Sequence, residues 1–168
     1  LRKKIIFDEK EVVSLLFQMT DALVYLHGKG LLHNDMKPGN ILIEKKGEYM
    51  LSDFGISTQV RTTLHTYSRL NDSKNNPQDG ISAMSISYAA PELFSEMPTH
   101  SSATDVFALG VTIYEILTGS LPWMGNGGMM LRNGAAVPHL PPQYPKVLDE
   151  LIRKCMSLKP IDRPTIKE

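Results

Sequence analysis

The sequence has little of several features that mark specialised protein classes. It contains one cysteine, Cys155, in 168 residues, which excludes an intrachain disulfide and a zinc site built from several cysteines. No run reaches the roughly 18 apolar residues that a membrane span needs, and the basic start at residues 1–7 has too few apolar residues for a signal peptide. We therefore expect an intracellular protein without a membrane span, cytoplasmic by default, with the nucleus left open.

An excess of charge of either sign is also absent. Eighteen Lys and Arg residues balance eighteen Asp and Glu residues, whereas binding to nucleic acid or to acidic membranes needs a positive excess. Neither is expected as the main role. The hydrophobic share of 42% is ordinary for a globular domain. The length suits one domain or a large part of one, and the start at Leu1 rather than Met hints at an incomplete piece.

One helix and one hairpin are predicted in the first third of the sequence. Residues 8–29 carry apolar side chains at helical spacing, and Asp8 opens a capping box. Residues 31–40 hold several polar residues and a proline, which predicts a loop. Two short apolar runs, residues 41–43 and 49–51, then predict a small β-hairpin around a polar turn.

Two further helices are predicted in the second half. Residues 104–118 are apolar on nearly every side, which is typical of a buried central helix, and Gly119 fits its C-terminal cap. Residues 145–158 form an amphipathic helix that begins at a proline suited to a first turn. Between these helices, residues 125–142 are rich in glycine and proline, which predicts mostly loop.

A long polar segment, residues 53–87, separates the hairpin from the second helix. A loop of this length inside a compact domain is usually functional or disordered. Regulation by phosphorylation and a plain solvated loop explain its hydroxyl side chains equally well; these are Thr62, Thr63, Thr66, Tyr67, Ser68, Ser73 and Ser82.

The loop after the first helix brings together three side chains with complementary chemistry. Asp35 can accept a proton from a hydroxyl, Lys37 can neutralise a phosphate, and Asn40 can offer a neutral oxygen to a hard cation such as magnesium. A polar loop with an Asx turn at residues 34–35 would explain the same residues. Asp53 directly follows an apolar strand, where its carboxylate can ligate a metal, although aspartate is common in turns.

The order and spacing of these residues resemble the eukaryotic protein kinases. The catalytic loop of that family reads H-R-D-x-K-P-x-N, and a short hairpin and D-F-G follow it. Here residues 33–40 read HNDMKPGN and residues 53–55 read DFG. Three later motifs follow in the family's order: residues 90–92 (APE), residues 105–110 (DVFALG, with Phe for the family's Trp) and residues 162–165 (DRPT). The resemblance covers nearly the whole chain.

The resemblance implies a mainly α fold, the large lobe of a protein kinase, with helices around a buried central helix and a small β-hairpin at the catalytic cleft. Residues 1–168 would form a partial protein kinase domain that lacks the small lobe and the last helix. The small lobe carries the Gly-rich loop, the strand Lys and the helix Glu, and we expect it in the parent chain. The 168-residue piece alone is expected to be inactive.

The resemblance also implies roles for individual residues. The protein would transfer the γ-phosphoryl group of ATP to a Ser or Thr hydroxyl of a protein substrate. Asp35 would be the catalytic base, and Lys37 would steady the transferred group and contact ATP. Asn40 and Asp53 would hold two Mg²⁺ ions. Leu42 would lie under the adenine ring, would be plain strand core, or would serve both purposes.

Further residues would support this chemistry. His33 would pack beneath Phe54 and so orient the metal-binding Asp53, with Gly55 completing the motif. Ser85 matches the hydroxyl residue that faces the catalytic base in the serine/threonine type, and the Lys-Pro pair of the catalytic loop matches the same type. Serine/threonine specificity is therefore expected.

Three charged residues would hold the lobe together, and two positions depart from the family. Glu92 and Arg163 would form a buried ion pair, or be two unrelated surface charges. Asp105 would anchor the catalytic loop backbone, or be an ordinary acidic residue in a helix's first turn. Asn34 replaces the Arg that receives a phosphorylated residue in the family, so activity is expected not to depend on such phosphorylation through this position. Met84 stands where glycine is usual and leaves sequence preference open.

A non-catalytic binding module, either a pseudokinase or a truncated lobe, is the main alternative. Asn34 and the missing small lobe favour it, whereas the intact set of Asp35, Lys37, Asn40 and Asp53 disfavours it. A small-molecule phosphotransferase with a related loop is a second alternative, but such enzymes lack the A-P-E segment and the late Arg motif.

Overall fold

The computed structural model describes residues 7–45, 47–53, 58–59 and 86–166. The predictions that concern Phe54, Gly55, Met84, Ser85 and the hydroxyl residues between 62 and 82 lie outside these residues. Within the described ranges, no helix is both long enough and apolar enough to cross a membrane.

The first helix, α1, spans Glu9–Gly28. Its predicted capping box is confirmed: the N–H of Glu11 donates to Asp8 Oδ1 at 2.9 Å, and the N–H of Asp8 donates to Glu11 Oε2 at 3.0 Å. One face of the helix is buried in the core, through Val12, Leu15, Met19 and Leu23.

The predicted hairpin is also confirmed, with strand β2 at Ile41–Lys45 and strand β3 at Glu48–Leu51. A glutamine on α1 fastens its turn. Gln18 Nε2 donates to the carbonyl of Gly47 at 2.8 Å, and the N–H of Tyr49 donates to Gln18 Oε1 at 2.8 Å. Because one amide satisfies a donor and an acceptor of the hairpin, the hairpin is fixed in position against α1.

The prediction of a plain loop over residues 31–40 is wrong at both of its ends. Leu31–Leu32 form a short strand, β1, which pairs antiparallel with Thr58–Gln59, a further short strand. Pro38–Asn40 form a 3-10 turn that leads into the hairpin. The strand pairing joins segments far apart in sequence, so no local pattern could reveal it.

The central helix, α2, spans Ser102–Thr118 and is buried along most of its length, as predicted. It begins two residues before the predicted start, because the N–H of Ser101 donates to Thr104 Oγ1 at 3.3 Å and extends the first turn. Gly119 caps the other end in the left-handed region, at φ +73°, and its N–H reaches the Glu115 carbonyl at 2.7 Å.

Two shorter α-helices lie in the second half of the chain, where 3-10 turns also occur at Ile86–Tyr88, Pro91–Phe94, Pro122–Gly125 and Pro160–Asp162. Helix α3, Met129–Arg132, is the small helical part of the predicted glycine- and proline-rich loop. Helix α4, Lys146–Cys155, is shorter than the predicted residues 145–158 at both ends. It packs against α2 at Gly110, where an added Cβ would lie 2.8 Å from the Cβ of Cys155, so glycine permits the close approach of these two helices.

Candidate active site

Asp35 is the centre of the candidate site, on the loop that follows β1. Its side chain is only 5% exposed. Lys37 Nζ donates to Asp35 Oδ2 at 2.6 Å, and Asn40 Nδ2 donates to the same oxygen at 2.9 Å. Asn40 Nδ2 also donates to the backbone carbonyl of Asp35 at 2.7 Å. The structure therefore brings together the three loop residues singled out from the sequence, and two donors fix the orientation of the carboxylate.

Asn40 and Asp53 offer oxygen atoms to a cation. The amide nitrogen of Asn40 is engaged by Asp35, and no described residue donates to its Oδ1. Its backbone carbonyl accepts from the N–H of Ser52 at 2.8 Å, which ties the start of β2 to the residue before Asp53. Asp53 is exposed, has φ +64°, and forms no hydrogen bond with any described residue through its carboxylate.

These two oxygen donors suit a hard cation such as Mg²⁺, which takes one or two protein carboxylates or amides and fills its other positions with water and phosphate. Across the described ranges, no group of three or more His, Cys, Asp or Glu side chains could hold a metal ion. Two such donors fill only part of the coordination shell of Mg²⁺, and water and phosphate oxygens suit its remaining positions.

Asp105, in the first turn of α2, holds the backbone of the loop that precedes Asp35. The N–H groups of His33 and Asn34 donate to its two carboxylate oxygens, each at 2.9 Å, and His27 Nε2 lies 2.8 Å from Oδ2. Asp105 is 1% exposed. A buried carboxylate is costly unless donors surround it, so these contacts make the loop and the central helix one unit.

His33 is fully buried and links the loop to the end of β3. The N–H of Asp35 donates to His33 Nδ1 at 3.2 Å, and His33 Nε2 lies 3.1 Å from the carbonyl of Ser52. Because Nδ1 accepts, the ring N–H of His33 is on Nε2, which donates to the carbonyl of Ser52. His33 thereby connects Asp35 to the residue before Asp53.

The hairpin presents an exposed apolar face beside this loop. Leu42 is 49% exposed and Met50, its cross-strand partner, is 51% exposed. The interpretation of Leu42 as plain strand core is therefore wrong. Paired residues on adjacent strands point to the same side of a sheet, so Leu42 and Met50 form one exposed apolar surface.

Glu92 and Arg163 form a buried ion pair, so the interpretation as unrelated surface charges is wrong. Both terminal nitrogens of Arg163 donate to the two carboxylate oxygens of Glu92 at 2.7 Å. Arg163 also donates to the carbonyls of Ala103 at 2.8 Å and Ser157 at 3.0 Å. Its guanidinium carbon lies 5.0 Å from the centre of the Phe107 ring. One side chain thus joins the segment after residue 90 to α2 and to the end of α4.

The family model of the protein kinase domain matches residues 1–168. The chain belongs to the protein kinase family. The relatives include the Wee1-like protein kinase of Oryza sativa subsp. japonica, 34% identical over 94% of this chain and 27% of that protein. They also include the serine/threonine-protein kinase ppk11 of Schizosaccharomyces pombe, 33% identical over 95% of this chain and 48% of that protein.

An Aurora kinase of Yarrowia lipolytica is 31% identical over the whole chain and 42% of its own length. This kinase chain therefore spans less than half the length of these three curated relatives.

Three polar residues of the kinase chain, Gln18, His100 and Tyr88, make contacts around the site but were not predicted as site residues from the sequence. Gln18 fastens the hairpin, and Asn34 Oδ1 lies 3.0 Å from His100 Nδ1, 66 residues away. Tyr88 donates to Glu115 Oε2 at 2.6 Å. Burial, and then this hydrogen bond, raise the pKa of Tyr88 above its usual value. Only Tyr88 had a local signal, its position just before the A-P-E motif; the others depend on long-range contacts.

Proposed function

We propose that the full-length protein is a serine/threonine protein kinase that transfers the γ-phosphoryl group of ATP to a hydroxyl of a protein substrate. The observation that carries the proposal is the convergence of Lys37 and Asn40 on the Asp35 carboxylate. Membership of the protein kinase family supports it. Because the curated relatives are longer than this chain, residues 1–168 are proposed as the large lobe, and the parent chain is proposed to supply the small lobe.

Asp35 acts as the base that accepts the proton of the attacking hydroxyl. General base catalysis needs a carboxylate that is held in a fixed direction, and the donors on its Oδ2 provide this. Lys37 keeps a positive charge next to the reacting oxygen and steadies the negative phosphoryl group. His33 holds the N–H of Asp35 and so fixes the backbone from which the base projects.

Asn40 Oδ1 and the Asp53 carboxylate hold magnesium in this proposal. Magnesium, when bound with ATP, neutralises phosphate charge as the phosphoryl group is transferred. Asn40 has a second task, because the same amide that offers Oδ1 to the ion also donates to Asp35. Leu42 supports the adenine ring from the apolar face of the hairpin.

The proposed preference for Ser and Thr substrates rests on the Lys37-Pro38 pair of the catalytic loop and on Ser85. Two of the three relatives described above carry names that say only protein kinase or Aurora kinase, while ppk11 is named a serine/threonine-protein kinase. The experiment described next tests this preference by identifying which residue types are labelled.

The experiment uses the full-length protein, ATP with Mg²⁺, and a general protein substrate that offers Ser, Thr and Tyr. Asp35→Asn should lower kcat by about a hundredfold or more, the usual contribution of a general base. Asp21→Asn, the same change at an exposed position on α1, is the matched control and should have no effect. Equal rates for the wild type and Asp35→Asn would refute the proposal, and labelling of tyrosine alone would refute its serine/threonine part.

Phosphatase treatment of the same protein tests the proposed role of Asn34. Because Asn34 is uncharged, it cannot pair with a phosphate as an arginine does. Activity should therefore be the same before and after treatment, with a kinase of known phosphate dependence as the positive control. A large loss of activity would contradict this expectation.

A further inference from the structure

Asn34 is held in an unusual backbone conformation directly before the proposed base, Asp35. Its φ is +62°, in the left-handed region where asparagine is one of the few side chains found often. Its N–H donates to Asp105 Oδ1 at 2.9 Å. Its side-chain Oδ1 lies 3.0 Å from His100 Nδ1. The backbone and the side chain of this residue are thus each held by a separate hydrogen bond.

The bond between Asn34 and His100 needs no charge. An amide oxygen only accepts, so the proton of this bond belongs to His100 Nδ1. Burial lowers the pKa of His100, and the negative charges of Asp105 and Glu92 only partly oppose this effect. His100 is therefore a neutral ring at neutral pH, and it binds Asn34 as a neutral donor.

His100 lies where two fixed parts of the lobe meet. It directly precedes Ser101, the N-cap residue of α2, and Asp105 follows within the first turn of that helix. The charge of Glu92, the partner of Arg163, also acts on it. Through its contact with Asn34, His100 links the start of α2 to the loop that carries Asp35.

We propose that His100 is a positioning residue for phosphoryl transfer, which holds Asp35 in its reactive direction through the hydrogen bond to Asn34. The proposal rests on the proposed kinase function. It explains how a loop with asparagine at this place keeps its shape, because a histidine on the adjoining segment holds the side chain. Nothing in the loop sequence reveals this contact.

The experiment measures steady-state kinetics of the full-length protein with ATP, Mg²⁺ and a protein substrate. His100→Phe keeps a ring but removes the donor, and should lower kcat about tenfold, the effect of one lost neutral hydrogen bond expressed in the transition state. The KM values for ATP and substrate should not change. His100→Asn, which restores an N–H near the position of Nδ1, should recover most of the rate. His139→Phe is the matched control, since His139 is an exposed histidine that contacts Asp149.

A double-mutant cycle separates positioning from general packing. Asn34→Gly deletes the same bond from the loop side, and glycine tolerates the left-handed backbone at φ +62°. This variant should also lower kcat about tenfold, and the variant with both changes should be no slower than the slower single variant. Losses that multiply in the double variant would overturn the proposal. If His100→Phe does not fold, Asn34→Gly and His100→Asn decide the question.

The outcomes also separate this proposal from the kinase function. If the wild type is no faster than Asp35→Asn, the kinase function fails and the positioning role fails with it. If the wild type is active and His100→Phe is as fast as His139→Phe, only the positioning role is overturned. If His100→Phe lowers both the melting temperature and kcat, and His100→Asn restores neither, His100 has only a structural role. That result would also overturn the proposal.

Discussion

Replacing Arg163 with methionine should destabilise the domain more than any other single change of a charged side chain described above. The guanidinium is completely buried, while Glu92 is only 16% exposed. Methionine keeps much of the length and apolar character of the arginine stem. It removes both 2.7 Å bonds to Glu92 and the bonds to the carbonyls of Ala103 and Ser157. A carboxylate and backbone acceptors would remain without partners.

The expected loss of free energy of unfolding follows from these unpaired groups. Breaking a buried ion pair by removing one partner costs about 3–5 kcal/mol, because an uncompensated buried charge remains. Arg163→Lys should lose less, since it keeps the positive charge but not the planar fork that binds both oxygens. With a slope of about 2 kcal/mol per molar urea, the transition midpoint of Arg163→Met should fall by about 1.5–2.5 M.

The assay is a urea titration of the full-length protein, followed by hydrogen-exchange mass spectrometry of peptides from α2. The matched control is Lys146→Met, which removes a cation from an exposed pair with Glu150 at 3.7 Å. Exposed pairs contribute little to stability, so its midpoint should stay close to that of the wild type. The double variant Glu92→Leu/Arg163→Met should regain part of the loss, because no buried charge is left unpaired.

Equal midpoints for Arg163→Met and Lys146→Met would refute the reasoning. A double variant whose loss equals the sum of its two single losses would refute the claim that Glu92 and Arg163 depend on each other.

Two further predictions concern the contact of α2 with α4. Gly110→Ala should destabilise the domain by about 1–3 kcal/mol through overpacking, because the added Cβ would lie 2.8 Å from the Cβ of Cys155. Gly28→Ala is the control and should not destabilise the domain in the same urea titration, because nothing lies within 4 Å of its added Cβ. Equal effects of the two changes would contradict the packing argument. Burial raises the pKa of the Cys155 thiol to about 12, so at pH 8 the group remains an unreactive thiol. Iodoacetamide should therefore label Cys155 only in the unfolded protein. Rapid labelling of Cys155 in the folded protein, measured by mass spectrometry, would contradict this expectation.

The helices could be predicted because their signals are local. The capping box at Asp8 and the all-round apolar pattern of α2 each depend on residues within a few turns. The end of α4 could not be predicted in this way, because the apolar pattern continues to Leu158 while the helix stops at Cys155. The carbonyls of Ser157 and Leu158 instead accept hydrogen bonds from Arg163.

The residues of the candidate site also differ in whether the sequence alone could reveal them. Asp35, Lys37 and Asn40 are close in sequence, so their order alone suggested a shared site. The contact of Asn34 with His100 spans 66 residues, and the fastening of the hairpin by Gln18 joins two separate elements. Such contacts depend on how the elements pack, which no short segment of sequence contains.

The carboxylate of Asp105 has a consequence for motion. It accepts the amide hydrogens of His33 and Asn34 from inside the central helix, so those two amides can exchange with solvent only when that contact opens. Opening in the protein core requires near-global unfolding, whereas loops usually open at little cost. We therefore expect the segment beside the proposed base, although irregular in shape, to open as slowly as the buried core of the domain.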